Sequence, residues 1–151
     1  MGYLAGDLGE EVKGSWPKVT AAVYRSFEAS HSLPGIGVSE PHSHLYKIKA
    51  GYRHEINPTL NGCTKPLEEM LRDLDGCIAK MEGKYLNDVL PFHPTAEIMA
   101  WTVLFGIGNT DLRATSFWQF IEVEAYDCFS ARADIADARS EWREKFEFRC
   151  P

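Results

Sequence analysis

Two segments in the first third of the chain alternate between apolar and polar residues, which is the pattern of half-buried β-strands. The first covers residues 18–31 and the second about 42–55. Side chains two residues apart on a strand share a face, so each segment predicts one largely apolar face. These faces carry Val19, Ala21, Val23, Phe27, Ala29 and His31 on the first strand and His42, His44, Tyr46, Ile48, Ala50 and Tyr52 on the second. The stretch 32–41, which is rich in proline and glycine, predicts a loop between the two strands.

Two later segments have the spacing of helices. Residues 66–82 carry an apolar residue every three or four positions, with Pro66 suited to the first turn and Gly83 to the end. A second helix is predicted from Pro94-Thr95 to Gly106 or Gly108. Its apolar residues cover more than one stripe, which predicts that it lies between the sheet and a further element.

Residues 117–127 and 129–135 predict a third and a fourth strand. The order ββααββ indicates an α+β fold, with an antiparallel four-stranded sheet and both helices packed on one face. A chain of 151 residues is expected to form a single domain. Residues 1–17 are expected to be an N-terminal arm. Residues 136–151 are expected to be a C-terminal tail, and the pattern does not decide between helix and strand there.

The composition is that of a globular domain and argues against nucleic acid or a membrane as the main partner. Apolar residues make up 44% and charged residues 25% of the chain, as in ordinary globular domains. The net charge of −6 argues against nucleic acid or an anionic membrane as the main partner. The sequence contains neither a run as long as a membrane span nor a signal-like start, and its four cysteines form no Cys-x-x-Cys pair. We therefore expect free thiols and a cytoplasmic location.

Three histidines form a candidate metal site. His42 and His44 are two residues apart and so share a strand face. A hairpin return would bring His31 beside them. Three imidazole ligands leave one position open on a tetrahedral zinc ion, as in catalytic zinc sites. The alternative is that all three are surface histidines.

Four short motifs give the chain a family resemblance. They are Phe27-Glu28-Ala29-Ser30-His31, His42-Ser43-His44, Tyr85-Leu86-Asn87-Asp88 and Pro94-Thr95-Ala96-Glu97. In their order and spacing, across residues 19–132, the chain resembles the 6-pyruvoyltetrahydropterin synthase and 6-carboxytetrahydropterin synthase family. The resemblance implies a small α+β unit called the T-fold and a closed homo-oligomer. It also implies a lyase in which zinc, held by the three histidines, binds the side chain of 7,8-dihydroneopterin triphosphate.

The resemblance also implies a grip on the pterin ring. A strand glutamate of the family accepts hydrogen bonds from the amino and N–H groups of the ring. Glu122 is the preferred candidate here and Glu124 is the alternative. Both lie on the predicted third strand. Either could instead point into solvent. Thr95 resembles the residue that contacts the pterin through its backbone, although it also fits a plain helix cap.

The chain departs from the family where protons are handled. The family cysteine lies four or six residues before the His-x-His, where this chain has Val38 and Ile36. The family Leu-Asp-His aligns with Met81-Glu82-Gly83, which keeps an acid at Glu82 but loses the histidine. Glu40, in the predicted loop, and His93, before the second helix, are the candidate replacements. Both could also be solvated loop residues.

Three functions are compatible with these residues. The first is a zinc-dependent lyase acting on a dihydroneopterin-type substrate with diverged catalytic residues. The second is a catalytically degenerate protein that binds zinc and a pterin or purine-like ligand. The third is a structural T-fold subunit, in which the histidines would be dispensable.

Overall fold

Four antiparallel strands form one sheet in the computed structural model, which describes residues 16–56, 65–108 and 116–149. The strands are β1 (Lys18–Leu33), β2 (Val38–Glu55), β3 (Trp118–Ala125) and β4 (Phe129–Asp134), and they lie in the order β1-β2-β3-β4. Every neighbouring pair is antiparallel. The predicted α+β fold with a four-stranded antiparallel sheet is therefore confirmed.

Three helices follow β2 along the chain: α1 (Leu67–Ile78), α2 (Leu86–Val89) and α3 (Ala96–Gly106). Helix α1 packs on β1, and α3 packs on β3 and β4, so both long helices cover one face of the sheet, as predicted. Helix α1 ends at Ile78 rather than at the predicted residue 82. The chain turns there, and the Gly83 N–H donates to the Glu28 carbonyl of β1 at 2.8 Å. The segment that follows therefore runs along β1. The single turn of α2 was not predicted.

The hydrophobic core lies between the helices and the apolar sheet face. Its fully buried side chains come from both layers and include Phe27, Tyr46, Ile48, Leu74, Met81, Met99, Leu104 and Ile121. Helix α3 also buries its outer side against the C-terminal segment. Trp101 lies 5.7 Å from Trp142 and Phe105 lies 5.8 Å from Phe146, measured between ring centroids. The prediction that this helix is covered on two sides is confirmed.

The C-terminal segment is neither a regular α-helix nor a strand. It contains short 3₁₀ turns at Ile135–Asp137 and Ser140–Phe146. Its end is fixed by a hydrogen bond of 2.8 Å from the Arg149 N–H to the Val89 carbonyl.

The connection between β1 and β2 is much shorter than predicted. The sequence predicted a loop over residues 32–41, but β1 continues to Leu33 and β2 begins at Val38. Only a tight turn remains between them, with a 3₁₀ turn at Pro34–Ile36 and Gly37 in the left-handed conformation at φ 83°. The loop prediction was wrong for most of its length. The extra paired residues extend the hairpin beyond His31 and His42.

Several sequence predictions lie outside the described residues. They concern most of the N-terminal arm and the last two residues of the C-terminal tail. In the described part of the chain, no helix is long and apolar enough to cross a membrane.

Candidate metal centre

The pairing of β1 with β2 brings three histidines together. His31 lies directly opposite His42, and His44 lies opposite Ala29, so all three side chains occupy the helix-facing side of the hairpin. Their ring centroids are 4.6–4.8 Å apart, and one nitrogen from each ring lies within 4.8 Å of the others. The structure thus brings together the residues that the sequence predicted as metal ligands.

Backbone carbonyls fix the orientation of two of the rings. The Nδ1 of His31 lies 2.8 Å from the Pro94 oxygen, and the Nδ1 of His42 lies 3.0 Å from the Glu40 oxygen. A carbonyl oxygen only accepts hydrogen bonds, so each Nδ1 carries a proton and each Nε2 presents a lone pair. This second-sphere arrangement is typical of metal-binding histidines.

The inner nitrogens have the spacing of a shared ion. The Nε2 atoms of His31 and His42 are 3.1 Å apart, and the carbonyl contacts leave no proton between them. Two nitrogen ligands of a tetrahedral zinc ion, each at about 2.0–2.1 Å, lie about 3.3 Å apart. The Nε2 of His44 is buried and has no hydrogen-bond partner within the described chain. A divalent ion would satisfy all three nitrogens, so the residues present fit a metal.

Burial favours the metal-binding form of His31 and His44 by lowering the pKa of each ring. Desolvation is the main cause that lowers the pKa of His31, and the nearby His42 adds to it, while the hydrogen bond to Pro94 opposes it. Desolvation also lowers the pKa of His44, with smaller contributions from both neighbouring rings. A lowered pKa favours the neutral ring, which is the ligating species.

The end of β1 is held in place by α2 and by the residues just before it. Asn87 accepts a hydrogen bond from the Ser32 N–H at 2.9 Å and donates to the Ser32 carbonyl at 3.0 Å. The Ser30 N–H donates to the Lys84 carbonyl at 3.0 Å. These bonds lie on either side of His31 and therefore fix the backbone that carries it. Sequence reasoning missed this role of Asn87, although the residue belongs to a motif that the resemblance used.

A cleft of about 220 Å³, which we call the histidine cleft, opens beside His31. His31, Tyr46, Thr95, Glu97 and Tyr126 contribute polar or aromatic groups, and the remaining lining is apolar. The ring of Tyr126 lies 4.4 Å from that of His44 between centroids. Thr95 caps α3 by accepting from the Ile98 N–H at 3.3 Å, so the helix-cap reading describes its side chain.

Sequence reasoning also missed Glu97 and Tyr126. Glu97 is the carboxylate that lines this cleft among the described residues. Its signal was available, because it ends the Pro94-Thr95-Ala96-Glu97 motif. Tyr126 had no signal, because it lies in the β3–β4 turn and only the folded hairpin places it against His44.

The three predicted proton carriers lie outside the described lining of the cleft. The side chains of Glu40, His93 and Glu82 are exposed. Glu40 contacts the site through its carbonyl, which accepts from His42. The His93 carbonyl accepts from the Thr95 N–H at 2.8 Å. Glu82 lies in the turn after α1, next to the point where that turn joins β1.

The two predicted pterin anchors face away from the histidines. Glu122 pairs with Lys49 and Glu124 with Lys47, and these lysines alternate with the buried residues of β2. The Glu122 carboxylate lies 3.6 Å from the Lys49 ammonium group. Glu124 lines a second cleft of about 420 Å³ on the open face of the sheet. Within one chain, the structure does not bring either glutamate together with the metal site.

Known structures share this architecture. The structure of Caenorhabditis elegans 6-pyruvoyl tetrahydropterin synthase aligns with a TM-score of 0.68 and 20% identity, covering 81% of this chain and 99% of that chain. The Plasmodium falciparum 6-pyruvoyl tetrahydropterin synthase structure aligns with a TM-score of 0.55 and 14% identity, covering 80% and 98%. The chain has the T-fold of these synthases. The expected fold is thereby confirmed over most of the chain. No protein-family model matches the sequence, and no curated protein matches it.

Proposed function

We propose that the chain is a zinc-dependent lyase that acts on the side chain of a dihydroneopterin-type substrate. The observation that carries this proposal is the histidine cluster, with two Nδ1 protons fixed by carbonyls and the buried Nε2 of His44 unpartnered. A three-histidine set leaves one zinc position for the substrate. Zinc bound there would act as a Lewis acid on the oxygens of the substrate side chain.

Residues of the same chain would bind the pterin ring of the substrate. The Glu97 carboxylate lines the histidine cleft and could accept paired N–H bonds from a pterin edge, a charge-assisted contact. Leu33, Ala96 and Ala125 also line this cleft and would provide apolar contacts for the bound ring. Thr95, at the start of α3, lines the same cleft.

A second candidate function is binding without turnover. It is favoured by Val38 and Gly83, which occupy the positions where the resembling family carries its cysteine and histidine. Val38 is half-buried and pairs with Leu33 in the hairpin. Its side chain is a hydrocarbon and cannot accept a proton. The candidate replacements, Glu40 and His93, have exposed side chains. A structural subunit without a metal site is the third possibility.

One experiment separates the three. Wild-type protein, His42→Ala and the matched control His54→Ala are purified, analysed for bound zinc and incubated with 7,8-dihydroneopterin triphosphate. His54 is exposed and lies on the same strand as His42 and His44, so its loss should change nothing.

The lyase proposal expects about one zinc per wild-type chain and a new pterin product identified by mass spectrometry, with both lost in His42→Ala. Zinc and pterin binding without product would establish the binding protein. Zinc content that is unchanged in His42→Ala would refute the metal site.

A further inference from the structure

Tyr126 has a backbone conformation that tyrosine seldom adopts. The turn between β3 and β4 consists of Tyr126, Asp127 and Cys128. It lies between Ala125 and Phe129, which pair with each other. The backbone of Tyr126 has a φ of 58°, in the left-handed region that side chains with a Cβ seldom adopt. Glycine, asparagine and aspartate are the residues that such turns favour. The choice of a tyrosine therefore calls for a reason outside the turn.

The left-handed backbone places the tyrosine ring at the mouth of the metal site. The ring packs at 4.4 Å and 76° against His44, yet 47% of the residue stays exposed. The same ring lines both the histidine cleft and the cleft that contains Glu124. Among the described residues, only Phe129 shares that double position. A ligand bound in the histidine cleft would therefore lie against Tyr126.

We propose that Tyr126 is a substrate-binding residue that packs its ring against the flat conjugated ring of the substrate. This inference rests on the proposed function, because it takes the ligand to be a pterin. A conjugated heterocycle gains contact area and dispersion energy from an aromatic side chain, whatever its substituents. The phenol hydroxyl is not required for this role.

The test compares Tyr126→Leu and Tyr126→Phe with wild type, using neopterin as the probe. Zinc content is measured by elemental analysis, and neopterin affinity by isothermal titration calorimetry on the zinc-loaded protein. Stacking of a ring on an aromatic side chain changes affinity by roughly tenfold to a hundredfold. We expect Tyr126→Leu to weaken neopterin binding by that factor and to keep its zinc, whereas Tyr126→Phe should bind like wild type.

Phe92→Leu is the matched control. Phe92 also has a φ of 58° and is 54% exposed, but it lies outside the described lining of both clefts. Its replacement by leucine should leave neopterin affinity unchanged. This control separates the effect of an aromatic ring at the site from that of a bulky side chain on a left-handed backbone.

Each other outcome rejects a defined part of the reasoning. Unchanged neopterin affinity in Tyr126→Leu would overturn the inference and leave the proposed function standing. Loss of zinc from Tyr126→Leu would also overturn it, because Tyr126 would then serve to hold His44. Weak binding in Tyr126→Phe would show that the hydroxyl, rather than the ring, makes the contact. If wild type binds zinc but no neopterin, the proposed pterin function fails and the inference fails with it.

Discussion

Replacing His44 with leucine should stabilise the zinc-free protein and abolish its response to zinc. Without a metal, the Nε2 of His44 is buried and lacks a partner in the described structure. A buried polar group left unsatisfied costs about 1–3 kcal/mol. Leucine removes that cost and keeps an apolar side chain in a similar space. For a domain of this size, about 1 kcal/mol corresponds to about 2–4 °C in Tm, so the zinc-free variant should melt a few degrees above wild type.

Added zinc should reverse that order. A ligand that binds only the folded state stabilises it by about 2.7 kcal/mol when present at one hundred times its Kd. Wild-type protein should therefore gain about 5–10 °C in Tm under that condition. The His44→Leu variant keeps only His31 and His42 as ligands and should gain little. The two melting curves should exchange places when zinc is added.

The assay is thermal unfolding followed by circular dichroism, first after treatment with a chelator and then with a zinc titration. His54→Leu is the control, because His54 is an exposed histidine on the same strand. It should melt like wild type in both conditions. Zinc-free His44→Leu melting well below wild type would mean that the ring is a satisfied packing element. A full zinc response in His44→Leu would show that the histidines do not hold the ion, and either result would refute the reasoning.

Three further predictions concern assembly, chemistry and the thiols. The sheet ends at β1 and β4, whose outer edges can pair with another chain, so we expect a closed homo-oligomer by light scattering; a monomer at micromolar concentration would contradict this. If Glu40 or His93 is the general base, then Glu40→Gln or His93→Ala should lower turnover about a hundredfold or more; full turnover in both variants would exclude both residues. Burial raises the pKa of the Cys77 thiol to about 11, whereas Cys128 is exposed. Iodoacetamide at pH 8 should therefore alkylate Cys128 before Cys77. Equal rates by peptide mass spectrometry would contradict the buried position of Cys77.

The alternating pattern was sufficient to predict the strands and the histidine cluster. Two histidines two residues apart must share a strand face, and the parity of β1 places His31 with its buried residues. The sequence could not show the carbonyl groups of Pro94 and Glu40 that orient the rings. The Pro94 contact joins residues 63 positions apart, so it depends on how α3 packs on the sheet.

The loop between β1 and β2 was overestimated because residues 32–41, which end at Pro41, are rich in proline and glycine and therefore indicate a loop. Proline cannot donate to a strand ladder and is tolerated where a strand lacks a neighbour on that side. In β2, pairing with β3 covers only Lys47 to Tyr52. Pro41 lies outside that stretch, where β1 is the only paired strand among the described residues, and the missing N–H breaks no bond with β3.

The positions of the acidic residues determine which carboxylate can bind a ligand at the metal site. In β3, Ile121 and Val123 are fully buried against the helices and alternate with Glu122 and Glu124. The two glutamates therefore point to the open face, where Lys47 and Lys49 lie opposite them. A ligand held by the histidine site needs a carboxylate from an element on the helix-facing side. Glu97, in the first turn of α3, meets that condition in the described structure. If the ligand is a pterin, as we propose, its ring edge and its metal-bound side chain would be held by the same subunit, on the same side of the sheet.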